Sequence, residues 1–214
     1  MKHAGPRLTA YRDLLLAAPV SVTSIRDPER AWAVHVEDAL AALPLVERLA
    51  PGRIADVGSG GGSPGIPIAL ATGVPVDLVE ATGVKCEFLR RCVAALGAPC
   101  EVVNDRSEIL ARAGGRDAYD VVLARALAPP PVAAELCLPL ARVDGHVLLW
   151  TAETEPGALA DVAAAVGGEH AETVEVGPNR RLELLRKVSA TPGRFPRRPG
   201  MAAKHPLARV RSRP

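Results

Sequence analysis

The stretch DVGSGGGSPGIP, residues 56–67, places five glycines between a short apolar run and a segment that opens like a helix. A strand ending at Val57, a glycine-rich turn and a helix opening near Pro64 put several backbone amides at a helix N-terminus, where a ligand can approach the main chain closely. Glu80 ends the next apolar run, 22 residues after Gly58. In such folds an acidic side chain at this place accepts hydrogen bonds from ribose hydroxyls. The stretch therefore predicts an α/β fold with an adenosine site.

Two kinds of ligand compete for this site. Gly60, Gly62 and Gly65 satisfy the dinucleotide pattern G-x-G-x-x-G. Asp56, two residues before Gly58, extends the stretch to D-x-G-x-G-x-G, which is similar to the first motif of S-adenosylmethionine-dependent methyltransferases. An acid here can reach a methionyl ammonium, directly or through water, whereas it would repel a pyrophosphate. The residues therefore favour a methyl donor over a dinucleotide, and a tight turn without a ligand ranks third.

Strands alternate with helices through the middle of the chain. The segment VKCEFLRRCVAALG, residues 84–97, has apolar positions at helical spacing and a glycine at its end. Short runs rich in Val, Leu and Ile predict strands over residues 53–58, 74–80, 100–104, 120–125 and 146–151. The alternation predicts the α/β class with a doubly wound, mostly parallel, Rossmann-like sheet. A helix over residues 156–166 and two runs that flank GPN predict a C-terminal antiparallel hairpin.

The chain divides into three predicted parts. Residues 1–50 are expected to form a helical N-terminal extension packed on the core, residues 51–188 the methyltransferase domain, and residues 189–214 a basic tail rich in Pro and Arg. The tail is expected to be irregular, or ordered only with a partner. In the extension, Asp27 is a predicted N-cap ahead of Pro28 at the first helical position. The apolar stripe of that helix is expected at Trp32, Val36, Leu40 and Leu43.

Charge is distributed unevenly along the chain. The 214 residues carry 26 basic and 24 acidic side chains, and nine of the basic ones but none of the acidic ones lie between Leu184 and Pro214. The preceding residues keep 17 basic and 24 acidic side chains. A basic tail suits a polyanionic partner, because neutralising phosphates releases counterions.

The lengths of the apolar runs and the spacing of the cysteines bear on location and on cysteine chemistry. No apolar run approaches the roughly 20 residues of a membrane span, so we expect a cytoplasmic protein with no membrane partner. The four cysteines include no C-x-x-C pair, which favours reduced core thiols over a redox or metal site.

Several longer motifs occur together: VTSIRDPERAWAVHVEDAL, DVGSGGGSPGIPIAL, GVKCEFLRRCVAALG, YDVVLARALAPPPV and FPRRPGMAAKHPL. In combination they resemble the bacterial small-subunit (16S) ribosomal RNA guanine-nitrogen-7 methyltransferases once called glucose-inhibited division protein B. The resemblance implies S-adenosyl-L-methionine as the cofactor and small-subunit ribosomal RNA, or the small ribosomal subunit, as the partner. A monomer is expected.

The resemblance also implies roles for particular residues. Gly58 and Ser63 would line the cofactor pocket, Ser107 and Glu108 would flank the adenine, and Arg125 would approach both the cofactor and the target base as the catalytic residue. The chain departs from the family at three positions. The family commonly has an aromatic residue or leucine at the place of Ser63, aspartate at that of Glu80 and lysine at that of Thr151.

The remaining residues bear on the methyl acceptor. The segment RALAPPPV, residues 125–132, lacks the Asn or Asp and the aromatic residue that accompany attack by an exocyclic amine. Cys137, in an apolar stretch, is expected in the core rather than as a nucleophile. Guanine nitrogen-7 presents a lone pair and no proton, so its methylation needs chiefly positioning. The absence of an evident general base fits this acceptor.

Candidate RNA contacts lie in the tail. Phe195 stands beside three arginines and could stack on RNA, or could instead dock the tail on the domain. His35 and Asp38, at helical spacing, are interpreted as a polar edge near the site rather than a catalytic pair. An NAD-dependent oxidoreductase and a non-catalytic RNA-binding protein with a methyltransferase fold stay open as alternatives. The predicted RNA-binding residues are Arg194, Phe195, Arg197, Arg198 and Lys204.

Overall fold

A computed structural model describes residues 4–152 and 156–208. Residues 1–3 of the predicted extension and residues 209–214 of the predicted tail lie outside the described residues. The chain forms two compact units, Met1–Asp105 and Arg106–Pro214.

The first unit contains three parallel strands. They are β1 (Ile54–Val57), β2 (Val76–Val79) and β3 (Cys100–Val103), in the order β3-β2-β1. Parallel neighbours require crossover connections, and two helices supply them. Helix α5 (Gly65–Thr72) packs on β2, and α6 (Gly83–Leu96) packs on β3. Every residue of β1 and β2 is buried, as expected for a parallel sheet covered by helices.

The N-terminal helix packs on the same unit. Helix α1 (Ala4–Leu16) contacts α5 and α6. The hydroxyl of Tyr11, a fully buried residue, donates a hydrogen bond to the carbonyl oxygen of Gly61 at 3.0 Å. Arg7 Nε donates to the carbonyl oxygen of Leu96 at 2.8 Å. These bonds join α1 to the glycine-rich turn and to the end of α6.

The next helical segment begins as predicted but carries a different apolar stripe. Helix α2 (Pro28–Trp32) opens at the N-cap Asp27, whose Oδ1 accepts from the backbone N–H of Arg30 at 2.7 Å. The chain then passes through a π-helical turn (Ala33–Glu37) into α3 (Asp38–Leu40), and α4 (Leu43–Leu49) follows. Of the predicted stripe, Val36 is buried, whereas Trp32, Leu40 and Leu43 are half-buried. The wider π turn shifts the helical phase, and the buried positions become Ala31, Val36, Ala39 and Ala42.

The second unit contains four strands. The parallel pair β4 (Tyr119–Arg125) and β5 (Ala141–Thr151) is followed by the antiparallel pair β6 (Gly168–Gly177) and β7 (Arg180–Lys187). Their order is β4-β5-β7-β6. The prediction of an α/β fold with a mostly parallel sheet and a C-terminal hairpin is confirmed. The helices are α7 (Ser107–Leu110), α8 (Pro130–Cys137), α9 (Pro156–Val166) and α10 (Met201–Lys204).

A buried lysine joins the end of the hairpin to the start of the tail. Lys187 is fully buried. Its Nζ donates to the carbonyl oxygen of Leu138 at 2.7 Å, to Thr191 Oγ1 at 2.6 Å and to Asp117 Oδ1 at 3.1 Å. Burial lowers the pKa of Lys187, while the hydrogen bond to Asp117 opposes that shift. A buried ammonium needs such partners, so this network fixes where the tail begins.

All four cysteines are free, and three of them are buried. Burial raises the pKa of Cys92 to about 11 and that of Cys100 to about 12, with Asp56 and Asp77 adding to the shift at Cys100. At these pKa values both thiols are protonated at neutral pH, and the reduced state of the cysteines stays a prediction. Within residues 4–152 and 156–208, no helix is long and apolar enough to cross a membrane.

Candidate cofactor site

The glycine-rich turn follows β1 and leads into α5. Gly58, Gly60 and Gly62 have φ angles of 74°, 55° and 97°, a region that favours glycine because it lacks a Cβ. The backbone N–H groups of Gly58 and Ser59 both donate to the carbonyl oxygen of Val79, at 2.8 and 3.2 Å. The turn is therefore fixed to the end of β2.

The glycines of the turn differ in what they face. A Cβ added at Gly62 would lie 2.5 Å from Ile66, and one added at Gly65 would lie 2.5 Å from Leu78 and 2.7 Å from Asp56 Oδ2. At Gly60 the nearest atom to an added Cβ is 3.8 Å away, the carbonyl oxygen of Gly58. Gly62 and Gly65 thus allow close packing inside the unit, whereas the turn is open at Gly60. This opening is where a ligand can meet the main chain.

Glu80 lies beside that opening, at the end of β2. Its Oε2 accepts from the N–H of Gly60 at 3.0 Å, and its Oε1 accepts from the N–H of Thr82 at 2.8 Å. The residue is 7% exposed. A carboxylate has about four acceptor positions, so each oxygen keeps one for a further donor. The pair of hydroxyls on a ribose is a donor set that fits this geometry.

Asp56 holds the end of the glycine-rich turn through a hydrogen bond to the start of α5. Its Oδ2 accepts from the N–H of Gly65, the first residue of α5, at 3.0 Å. Asp56 is 1% exposed, and Ser59 Oγ donates to its carbonyl oxygen at 2.8 Å. The carboxylate therefore places a negative charge at the N-terminus of α5.

These two carboxylates discriminate between the candidate ligands. A pyrophosphate on a G-x-G-x-x-G turn needs backbone N–H groups at the turn and at the helix start. Here Glu80 takes the N–H of Gly60 and Asp56 takes the N–H of Gly65. The turn is thus negatively charged where a dinucleotide would bring its own negative charge, and it suits a cationic, adenosine-containing ligand.

Ser63 connects the turn to the π-helical turn. Its Oγ donates to the carbonyl oxygen of His35 at 2.7 Å. The imidazole of His35 places Nε2 2.8 Å from Thr23 Oγ1, which itself accepts from the N–H of Ile25 at 3.1 Å. His35 is thus engaged in holding the segment that precedes α2.

In the second unit, Ser107 and Glu108 open α7 and are buried. Glu108 Oε1 accepts from the N–H of Gly200 at 3.0 Å and from Arg106 Nη2 at 3.1 Å. Burial raises the pKa of Glu108, but the hydrogen bonds from Arg106 and Gly200 outweigh it, so the pKa lies below its usual value. Ser107 Oγ lies 3.5 Å from Glu108 Oε2. Glu108 therefore holds the tail.

Arg125 is the last residue of β4 and is half-buried. The next residue, Ala126, has a φ of 56°. A non-glycine residue in this region carries strain of about 1 kcal/mol or more and is often found at functional sites. The backbone therefore turns sharply after Arg125, at the carboxyl end of a parallel strand, where ligands bind in open α/β sheets.

Comparison with known proteins identifies the family. The family model described as rRNA small subunit methyltransferase G matches residues 6–182. The chain belongs to this family. A protein named ribosomal RNA small subunit methyltransferase G from Rubrobacter xylanophilus is 44% identical over 210 residues, covering 91% of this chain and 80% of the relative. One of the same name from Sorangium cellulosum is 38% identical over 197 residues, covering 90% and 80%.

Solved structures share the fold at low identity. A putative O-methyltransferase from Klebsiella pneumoniae is 14% identical with a TM-score of 0.57, covering 86% of this chain and 90% of the other. A 1,6-didemethyltoxoflavin-N1-methyltransferase from Burkholderia thailandensis is 18% identical with a TM-score of 0.57, covering 84% and 90%. These likenesses show the fold of a Rossmann-like methyltransferase in this member of the methyltransferase G family.

The position at which the family commonly has a lysine lies within a polar cluster. Thr151 ends β5 and is buried, and its Oγ1 lies 3.4 Å from Glu183 Oε1. Glu183 Oε2 accepts from Thr173 Oγ1 at 2.6 Å and lies 2.8 Å from His170 Nε2. Neutral hydroxyls and an imidazole thus surround this carboxylate.

The predicted RNA-binding residues fall into two groups. Phe195 is 3% exposed, so its ring is packed against the protein, as the docking alternative described. Arg197 forms a two-pronged ion pair with Glu135, with both nitrogen–oxygen distances at 2.6 Å. Arg194, Arg198 and Lys204 are exposed.

Sequence reasoning missed the residues that hold the tail. Glu135 is a single acid in the apolar run AAELCLPL, and this isolation was an available signal, because a buried carboxylate requires a partner. Arg112 and Arg116, which donate to carbonyl oxygens of the tail, gave no such signal. They stand in a polar loop where arginine is ordinary.

Proposed function

We propose that this protein is an S-adenosylmethionine-dependent methyltransferase that methylates nitrogen-7 of a guanine in small-subunit (16S) ribosomal RNA. Membership of the methyltransferase G family supports the activity and the substrate. The observation that carries the cofactor assignment is the occupation of the Gly60 and Gly65 amides by Glu80 and Asp56. This arrangement favours a cationic adenosyl ligand over a dinucleotide.

Residues of the first unit fit the cofactor. Glu80 keeps one acceptor position on each oxygen for the ribose hydroxyls, and Gly58 and Gly60 let the ligand approach the main chain. The charge of Asp56 favours a positively charged methionyl group nearby, and Ser63 holds the turn in shape through its bond to His35. When bound, S-adenosylmethionine supplies an electrophilic methyl group.

Roles in the second unit rest on the family resemblance. We assign Ser107 and Glu108 to the adenine end of the ligand and Arg125 to positioning of the target base. Guanine nitrogen-7 attacks through a lone pair and loses no proton. The protein's contribution is therefore to hold the base in line and to exclude competing orientations. A guanidinium suits this task, because it stays charged at all accessible pH and its hydrogen bonds are directional.

The substrate also suggests where the protein acts and in which oligomeric state. We propose that the protein acts as a monomer in the cytoplasm, on small-subunit ribosomal RNA or on the small ribosomal subunit. Sedimentation of the purified protein alone and with small subunits measures both the oligomeric state and the association.

The decisive experiment is direct mapping of the product. Purified protein is incubated with methyl-labelled S-adenosylmethionine and unmodified small-subunit ribosomal RNA, and then with assembled small subunits. We expect label in one substrate, with strand scission at a single guanine after reduction and aniline treatment, since nitrogen-7 methylation labilises the base. Label on an exocyclic amine or a pyrimidine carbon would contradict the acceptor. Titration with NAD is the control, and binding of NAD without S-adenosylmethionine would contradict the proposal as a whole.

A further inference from the structure

The cations of the tail differ in their surroundings, since one is paired with a buried acid and the others are exposed. Arg197 is only 21% exposed at its side chain and pairs with Glu135, which is 2% exposed. Both of its hydrogen bonds go to that one carboxylate. By contrast, Arg194, Arg198 and Lys204 are exposed, and within the described residues no ion pair involves them. The guanidinium of Arg194 lies 5.2 Å from the centre of the Phe195 ring.

The backbone between these cations is held at several points. Arg116 donates to the carbonyl oxygens of Thr191 and Phe195, at 2.5 and 2.8 Å, and Arg112 donates to that of Pro196 at 2.5 Å. At the far end, the N–H of Gly200 donates to Glu108. With Phe195 buried between these bonds, residues 191–200 follow a fixed course over the second unit although they lack regular secondary structure.

We propose that Arg194, Arg198 and Lys204 form a preorganised surface that contacts the phosphates of the RNA substrate, and that Glu135 and Arg197 are the positioning pair that holds it. The surface deepens the proposed function and rests on it. Its cations come from a segment without any acidic residue, so no charge in that segment offsets them. A segment already ordered loses little conformational entropy when RNA binds, which strengthens each phosphate contact.

A charge-matched pair of variants tests the contact surface. Arg194→Gln with Arg198→Gln removes two cations from the surface, and Arg90→Gln with Arg91→Gln removes two exposed cations from α6. The probe is a small-subunit ribosomal RNA transcript, with affinity measured from 50 to 200 mM salt. Each lost phosphate contact lowers the salt slope by about 0.7 to 0.9. We expect the salt slope to fall by about 1.4 to 1.8 in the variant with Arg194→Gln and Arg198→Gln. The α6 variant should keep the wild-type slope. Adding Lys204→Gln to the first variant should lower its slope further.

Glu135→Gln tests the positioning pair. An Arg197 that contacts RNA and an Arg197 that anchors the tail predict opposite changes in RNA affinity. If Arg197 contacted RNA itself, removing its acidic partner would free a cation and strengthen binding. Anchoring predicts weaker RNA binding and faster amide hydrogen exchange at residues 194–200. Arg197→Lys is the second variant, since it keeps the charge but loses the two-pronged pair, and we expect it to weaken RNA binding as well.

The outcomes separate this inference from the proposed function. Cofactor affinity is measured in every variant and should stay within about twofold of wild type, since none of the altered residues is among those assigned to the cofactor. If the wild-type protein methylates RNA but the Arg194 and Arg198 variant keeps its affinity and slope, the contact surface is wrong. Tighter RNA binding by Glu135→Gln would overturn the positioning role. If the wild-type protein binds no S-adenosylmethionine, the proposed function itself fails.

Discussion

At the scale of single residues, Glu80 carries the cofactor assignment, because its two oxygens fix the turn and leave room for two ribose donors. Glu80→Ala should weaken S-adenosylmethionine binding by about 1.5 to 3 kcal/mol, the usual effect of losing charge-assisted hydrogen bonds. Calorimetric titration of the folded variant measures this loss.

Asp77 offers a matched control for that measurement. It is a buried acid on the same strand, at the end away from the turn, and its Oδ2 pairs with Arg53 at 2.7 Å. Asp77→Asn should change stability but leave cofactor affinity within about twofold of wild type. Unchanged affinity in a folded Glu80→Ala variant would remove Glu80 from the site.

Asp56, Gly58, Gly60 and Glu80 could be predicted from sequence because their relation is local. The first strand, the turn after it and the end of the second strand determine where these residues lie. Their spacing in the sequence therefore shows that they come together. The link between Glu108 and Gly200 spans 92 residues, and that between Glu135 and Arg197 spans 62. Contacts at such separations depend on tertiary packing, which no local pattern encodes.

At the scale of elements, regular segments followed their periodicity, and the deviations have identifiable causes. Helix α6 lies where the apolar spacing placed it, since it buries one face, and the hairpin forms on either side of GPN as predicted. The segment after Asp27 kept its predicted N-cap, but only Val36 of the predicted stripe is fully buried, because the π-helical turn at Ala33–Glu37 changes the phase. Residues 189–200 of the tail are irregular as predicted, whereas Met201–Lys204 form α10, and the order of this segment comes from side chains of the second unit.

The tail therefore contributes to stability, in addition to its proposed role in RNA binding. A chain cut after Pro192 loses the buried ring of Phe195, for which truncation to alanine alone costs about 3 to 5 kcal/mol. It also removes Arg197 from Glu135, and breaking a buried pair costs a similar amount. We expect a clearly lower midpoint of denaturant unfolding for the cut chain.

The substitution Glu135→Gln tests this prediction when its effect on the unfolding midpoint is compared between the full chain and the cut chain. In the full chain it breaks the pair with Arg197 and should lower the unfolding midpoint. In the cut chain Arg197 is already absent, so the same substitution should change the midpoint much less. An equal loss in both chains would show that the pair does not account for the stability of the tail.

At the scale of the whole molecule, the distribution of ionisable groups matches a reaction that moves no proton from its acceptor. His35 faces Thr23, and His170 lies beside Glu183 on the hairpin, so both imidazoles are engaged in local structure. Asp56 and Glu80 accept backbone hydrogen bonds in the turn. Each of these groups already has a hydrogen-bond partner in the protein, and none of them is an evident general base.

Methyl transfer should therefore be nearly independent of pH. Single-turnover rates with saturating RNA are expected to stay flat between about pH 6.5 and 8.5, because nitrogen-7 has no proton to lose and the reaction needs no general base. Arg125→Ala should lower the rate by about 100-fold, the scale of a misplaced reactant, with S-adenosylmethionine still bound. Arg142→Ala, which removes an exposed arginine paired with Asp120 in the same unit, is the control and should keep the rate. A histidine or carboxylate acting as a general base would instead give an acidic limb, and loss of that limb in His35→Ala would show that a base exists and that the acceptor is not nitrogen-7.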